Sequence, residues 1–135
     1  MPYAYNPLYG RLDYSNIGGS GGGNIDNITW NTISASQALV VGNGYFCVAP
    51  GGALSLPLPA VSALGDGIEI ILNGATSFTI TQGAGQSVRL GNVASTAGVG
   101  GSVSSTQQGD AIKLVCMTAN LVWVVASSEG NFTII

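Results

Sequence analysis

A chain of 135 residues is long enough for one domain with a single core once a flexible leader is set aside. Only 7% of its residues are charged, against roughly 25% in an average soluble protein, and the net charge of −3 sets six acids against Arg11, Arg89 and Lys113. That balance excludes the basic patch that nucleic acid needs, the lack of histidine removes the usual proton shuttle, and no run approaches the ~18 apolar residues of a membrane-spanning helix.

A surface so poor in charge is a liability for a free monomer. Two readings stay open: a hydroxyl-and-amide surface rich in Ser, Thr, Asn and Gln, or an obligate oligomer in which buried interface replaces charged surface. The start of the chain shows neither a basic n-region nor an apolar h-region, so no secretory signal is expected.

Residues 1–14 differ in composition from the remainder. Tyr3, Tyr5, Tyr9 and Tyr14 are four of the five tyrosines and cluster around Asn6-Pro7 and a Gly10-Arg11 turn. The segment is too short for a core, and a disordered leader should be poor in aromatics. Tyrosine offers large contact area with few rotatable bonds, so Tyr3, Tyr5, Pro7, Tyr9, Arg11 and Tyr14 are expected to form an extended arm that docks onto another protein. The alternative is that these rings pack back on their own domain. Residues 15–23, SNIGGSGGG, are a flexible tether that lets the arm hold one body while the domain points elsewhere.

Residues 24–135 form the β domain in this reading. Ile28, Trp30 and Ile33 are spaced for a short strand, and 38–41 for a second. Asn43-Gly44 turns the chain into a strand over 45–49, and Pro50-Gly51-Gly52 turns it again. In 53–59, Leu54, Leu56 and Leu58 alternate with Ser55 and two prolines, and proline inside a strand belongs at a sheet edge or a bulge. Residues 60–64 are expected to close one helical turn.

The central unit follows and occurs twice. GDGIEIILNGATSFTIT over 65–81 returns, loosened, as GDAIKLVCMTANLVWVV over 109–125. Ile68, Ile70 and Leu72, then Ile112, Leu114 and Cys116, alternate at the period of a strand with one face on a core. A polar break and a second run bearing Phe78 or Trp123 make each copy a β-hairpin, the Asn73-Gly74 break being the stronger turn signal. The intervening positions should be polar if they met water. Only Glu69 and Lys113 are; Ile71, Val115, Met117, Val122 and Val124 are not. A sheet apolar on both faces must be covered on both, by a second sheet or by another chain.

Residues 87–90 give another strand. The small, polar stretch 93–109 is expected to run as surface loops with at most one short strand. The last strand, 131–135, stops on Ile134 and Ile135, which are expected to tuck into a sheet or a subunit interface. About nine to eleven short strands and no amphipathic helix make the fold class all-β, a β-sandwich or jelly-roll-like domain.

Few residues carry chemistry. Asp66 and Asp110 are the candidates for a two-carboxylate hydrolase, but each follows glycine at the start of a strand, where aspartate caps a turn. Glu69 and Lys113 hold matching places in the two copies and suit a cross-strand pair. A serine nucleophile finds no base. Cys47 and Cys116 sit inside apolar strand patterns as buried thiols, with a disulfide the alternative, and lack partners at metal-ligand spacing. The glycine-rich stretches match no phosphate loop or dinucleotide fingerprint, and the sequons at Asn27 and Asn131 are read as coincidental. No enzyme, cofactor or metal is expected.

The segments GYFCVAPGGALSLPLPAVSALGDGIEI, ITQGAGQSVRLGN and GDAIKLVCMTANLVWVVASSEGNFTI resemble a β module found at the C-terminal ends of bacteriophage tail-fibre and other virion appendage proteins. The leader YNPLYGRLDY resembles a short virion-attachment segment of small phage structural proteins. The resemblance implies a non-enzymatic, homotrimeric virion protein, assembled in the host cytoplasm, docked through residues 1–14 to a tail, baseplate or capsid protein. Ile71, Val115, Met117, Val122, Val124, Ile134 and Ile135 are then the candidates for the trimer interface. The expected function is a short tail fibre or fibre tip touching a host surface glycan or protein through loops 73–77, 82–86 and 93–108, grouped at one end. Alternatives are a trimeric capsid decoration protein and a secreted carbohydrate-binding adhesin.

Overall fold

The computed structural model describes residues 27–135 together with the backbone of residues 5–6 and 11–12. In the arm, β1 (Tyr5–Asn6) pairs antiparallel with β2 (Arg11–Leu12), Tyr5 opposite Leu12 and Asn6 opposite Arg11. Tyr3, Pro7, Tyr9, Tyr14, the tether and the side chains of Tyr5 and Arg11 lie outside the described residues.

The domain has eleven strands: β3 (Thr29–Ile33), β4 (Asn43–Cys47), β5 (Ala53–Pro57), β6 (Gly67–Leu72), β7 (Ser77–Thr81), β8 (Ser87–Leu90), β9 (Val93–Ala94), β10 (Ser102–Ser105), β11 (Ala111–Thr118), β12 (Val122–Glu129) and β13 (Phe132–Ile134). They form a seven-stranded sheet, β3-β4-β6-β11-β12-β8-β9, and a four-stranded sheet, β13-β10-β7-β5. Among the described residues there is no helix. The chain is all-β, a β-sandwich. Its core joins Tyr45, Ile68, Ile70, Leu114 and Trp123 of the large sheet to Leu54, Leu56, Phe78, Ile80 and Val103 of the small one. Each such aliphatic side chain taken from water contributes ~1.5–3 kcal/mol before entropy is set against it.

The connectivity explains the mixed sheets. From β4 to β7 the chain crosses between sheets at every step, so β4 and β6 lie side by side in parallel, as do β5 and β7, and β3 pairs in parallel with β4 in the same sheet. β12 and β8 are also parallel. Parallel neighbours distinguish this sandwich from an antiparallel jelly roll. Pro57 sits on edge strand β5, where its missing N–H costs no ladder bond.

This path corrects the reading of the first Gly-Asp unit as a hairpin. β6 and β7 belong to different sheets, and Asn73-Gly74 carries the chain across the core edge, held by Asn73 N–H and Ala75 N–H donating to the Cys47 carbonyl at 3.0 and 3.1 Å. Gly74 supplies the φ of 120° that the crossing needs. The second unit is the true hairpin, with Cys116 opposite Trp123 and Val115 opposite Val124. Asn120, at φ 67°, does there what glycine does elsewhere.

Three other expectations change. Residues 38–41 form no strand: Leu39 N–H donates to the Pro57 carbonyl (2.9 Å) and Ser36 Oγ accepts from Ser55 N–H (2.8 Å), so this segment shields the outer edge of β5. Residues 60–64 make turns rather than a helical turn, tied to Asn120 Oδ1, which accepts from Ser62 N–H at 2.8 Å. The stretch 93–109 contains two strands, and β10 lies inside the small sheet between β13 and β7. Serine has weak strand preference, yet Val103 fills the core and Ser105 Oγ accepts from Phe78 N–H at 2.8 Å, so pairing on both sides overrides propensity.

The chain's end is tucked into a sheet. Ile134 stands opposite Val103 and packs against the core, while Ile135 exchanges backbone hydrogen bonds with Ser102 and keeps its side chain mostly exposed.

Candidate functional site

The residues left over once the core is filled are those pointing away from it on the large sheet. Strand register arranges them in rows. Trp30, Gly44, Glu69, Lys113 and Ser127 are successive partners across β3, β4, β6, β11 and β12. Beside them run Thr32, Phe46, Ile71 and Ala111 on one flank, and Gly67, Val115, Val124 and Arg89 on the other. Val122 lies two residues from Val124 on the same side.

Three of the candidate interface residues, Val115, Val122 and Val124, therefore form one aliphatic patch on β11 and β12, while Ile71, opposite Ala111, lies apart from them on the far side of the Glu69–Lys113 row. These four are half-buried and Met117 is 49% exposed. Ile134 and Ile135 belong instead to the edge of the small sheet, Ile134 with its side chain against the core.

The other half of this face is aromatic and polar. A Cβ on Gly44 would lie 2.5, 2.6 and 2.7 Å from Cε3, Cδ2 and Cζ3 of Trp30. Near-equal distances to three successive ring atoms mean that the indole lies face-down on the Gly44 backbone. Phe46 braces it from the side, with ring centroids 4.8 Å apart and planes tilted by 33°. Trp30 is still 38% exposed. Where β4 and β6 begin there is a hollow of about 460 Å³ lined by Asn27, Gly42, Asp66, Gly67, Lys113 and Val115.

The two candidate carboxylates act as turn caps. Asp66 Oδ2 accepts from Ala63 N–H at 2.8 Å, and Asp110 Oδ2 from Thr106 N–H at 2.7 Å and Gln107 N–H at 3.1 Å. Asp110 is buried, and its Oδ1 has no hydrogen-bond partner and lies against Gly130. Glu69 and Lys113 are direct cross-strand partners, as their matching places imply. Both cysteines are free and buried; burial pushes the Cys47 thiol up from 9.0 to about 11, while Cys116 Sγ lies 3.2 Å from Ser62 Oγ. Among the described residues no three His, Cys, Asp or Glu side chains converge as a metal site, and no helix is long and apolar enough to cross a membrane.

The expected contact loops do not share an end. Residues 73–77 and 82–86 lie at opposite ends of β7, and the stretch 93–108 is split by β10. Their amides are also engaged within the fold. Gln82 Nε2 donates to the carbonyls of Gln86, Thr96 and Gly98 at 2.7, 2.8 and 2.9 Å, and its Oε1 accepts from the Ser95 hydroxyl. Gln86 Oε1 accepts from Gly83 N–H at 2.7 Å, and Gln108 Oε1 from Gly74 N–H at 2.7 Å. The Trp30 platform was not foreseen, because it exists only through pairing with Gly44, a residue fourteen positions away whose turn signal masks its place in a strand. The chain matches no protein-family model, and no curated protein is significantly similar to it.

Proposed function

We propose that this protein is a non-enzymatic virion structural protein, a short trimeric tail fibre or fibre tip. Residues 1–14 dock onto another virion protein and the β domain is presented for host-surface contact. The observation that carries this reading is the aliphatic patch of Val115, Val122 and Val124, with Met117 beside it, on the outer face of a sheet whose opposite face already fills the core. In a chain with 7% charged residues, covering that patch with further copies removes apolar surface from water at ~25 cal/mol per Å². The resemblance of the sequence to appendage modules supports three copies.

The test is solution mass by light scattering, followed by imaging of virions. Three chains and six-fold tail density are expected. Icosahedral density would assign the trimer to capsid decoration, and a stable single chain at micromolar concentration would overturn the reading. Deleting residues 1–23 should leave the trimer intact and abolish incorporation.

A further inference from the structure

We infer that one end of the sandwich, the end at which the chain enters it at Asn27, is a docking face for the same virion protein that holds the arm. The inference deepens the proposed function and rests on that reading. It says which way the domain points once the arm is bound.

Strand direction sorts the connections into two sets. β3, β4 and β6 run parallel and the turn over 58–66 leads into β6, so that turn and the point of entry share an end. Asn27 and Gly65 line the same hollow there. Hydrogen bonds tie the other connections of this end to that turn. Asn120, at the tip of the β11–β12 hairpin, holds Ser62, and Gln86 Nε2 donates to the Pro59 and Asn120 carbonyls at 2.8 and 3.2 Å. Gly98 N–H donates in turn to the Gln86 carbonyl at 2.8 Å. The connections 58–66, 82–86, 95–101 and 118–121 thus form one tied surface.

That surface is apolar. Val61, Leu64 and Val99 are 78%, 77% and 77% exposed and Leu121 is 43% exposed, while the only charged side chain in these connections is Asp66, which caps its own turn. The opposite end, built by 48–52, 73–76, 106–110 and 130–131, carries none of the exposed large apolar side chains among the described residues; it turns Asn73, Thr76, Gln107 and Asn131 to water. Exposed apolar groups mark a surface to be covered, and groups already pinned in place lose little conformational freedom when it is.

The position of the arm selects what covers it. Residues 15–26 separate the arm from Asn27, and twelve residues reach at most ~40 Å when extended and ~20 Å as the r.m.s. span of a Gly-rich coil. A body that holds Tyr14 therefore stands within reach of this end, and a short tether makes the second contact intramolecular at a roughly millimolar effective concentration. A lipid surface fits less well, because these connections hold neither the Trp or Tyr of an interfacial belt nor any Lys or Arg for anionic headgroups. A second copy set end to end would bring two points of entry face to face and crowd both arms. The polar end is then the one that faces away from the virion.

The test is single-cysteine labelling of intact virions with a maleimide at neutral pH. Cys47 and Cys116 are buried, so the native protein supplies the background. Val61→Cys, at the apolar end, and Gln107→Cys, exposed at the polar end, should both label in the free protein. In virions the rate at position 61 should fall about tenfold or more and the rate at position 107 should stay within about twofold. Val61→Lys combined with Leu64→Lys should leave the solution mass unchanged and lower incorporation about tenfold or more, with residues 1–23 intact. Equal labelling of Val61→Cys in virions and in free protein would overturn the inference. So would loss of native mass in the double lysine variant, which assigns this end to a second copy, or flotation of the native protein with phosphatidylcholine vesicles that the double variant abolishes, which assigns it to lipid. A protein present in virions with position 61 freely labelled defeats the docking face alone; a protein missing from virions defeats the appendage reading and the docking face with it.

Discussion

Lys113 stands directly opposite Glu69 across the β6–β11 pair, and each occupies the same position in its copy of the Gly-Asp unit. The two copies thus meet each other. Their ends close reciprocally: Gly65 N–H donates to Cys116 and Gly109 N–H to Leu72, while Cys116 N–H donates to Asp66 and Leu72 N–H to Asp110. A local two-fold relation at the centre of the large sheet follows, with one opposite-charge pair on its outer side.

Placing like charges at that centre should cost stability. Glu69→Lys is expected to lower the unfolding free energy by up to ~1 kcal/mol, and Glu69→Lys with Lys113→Glu to recover most of it, since cross-strand pairs are worth ~0.2–1 kcal/mol. Urea unfolding of the native protein, the single variant and the double swap at low and high salt checks this. A double swap no more stable than the single one would show that the pair does not interact.

Gly130 has a second constraint besides its φ of 94°: a Cβ there would collide with Asp110 Oδ1. Gly130→Ala is therefore expected to destabilise the domain by more than the ~1–3 kcal/mol of backbone strain alone, because the buried carboxylate must also leave its cap on Thr106 and Gln107. Thermal melting should show a large loss. Gly100→Ala, where a Cβ meets nothing within 4 Å, serves as the comparison and should melt near the native temperature.

What was legible in the chain was the alternation. Ile68, Ile70, Leu72, Ile112 and Leu114 declared their inner face because a half-buried strand repeats every two residues. Pro57 declared an edge and Asp66 a cap for equally local reasons. What stayed hidden was decided at a distance. Asn73-Gly74 has the same local chemistry whether the chain doubles back in one sheet or crosses to the other, and the Cys47 carbonyl settles it. β10 has too little apolar content to be seen alone; its two neighbours define it. The Trp30 platform needs β3 and β4 in parallel register, which no local pattern encodes.

Gln82 binds the segments on either side of β8 into one unit. Its amide nitrogen has two hydrogens and three carbonyls within reach, so one bond is shared, and all are buried or part-buried. Gln82→Leu should cost ~1–3 kcal/mol, as the Thr96 carbonyl loses its donor while the carbonyls of Gln86 and Gly98 keep the N–H groups of Gly98 and Gly101. Hydrogen exchange should localise the loss to 83–86 and 95–98. Uniform exchange across the domain would mean that the amide is not the local tie.

Cys47 makes stability depend on alkaline pH. Its folded-state pKa is raised by burial from 9.0 to about 11, so the neutral thiol is favoured in the native state. The folded protein holds the proton more tightly than the unfolded chain. The contribution is fully present below pH 9.0 and is lost as pH rises through about 11, reaching ~3 kcal/mol at ~1.4 kcal/mol per unit. Urea midpoints between these pH values should fall more steeply for the native protein than for Cys47→Ala. Parallel slopes would remove Cys47 as the cause, and rapid alkylation of the folded protein at pH 8 would show that the thiol is not sealed.

The association of copies can be separated from the folding of each. Val124 lies at the middle of the aliphatic patch, opposite Val115, with its side chain directed away from the core. Val124→Lys leaves the core filled and puts an ammonium where three chains are proposed to meet, at a desolvation cost of several kcal/mol if it is buried there. The variant should fold, by circular dichroism, and run at single-chain mass at micromolar concentration. Val61→Lys, at a position 78% exposed on a turn, should keep the native mass. If Val124→Lys also keeps it, the copies meet elsewhere, and the edge of the small sheet bearing Ile135 becomes the surface to vary next.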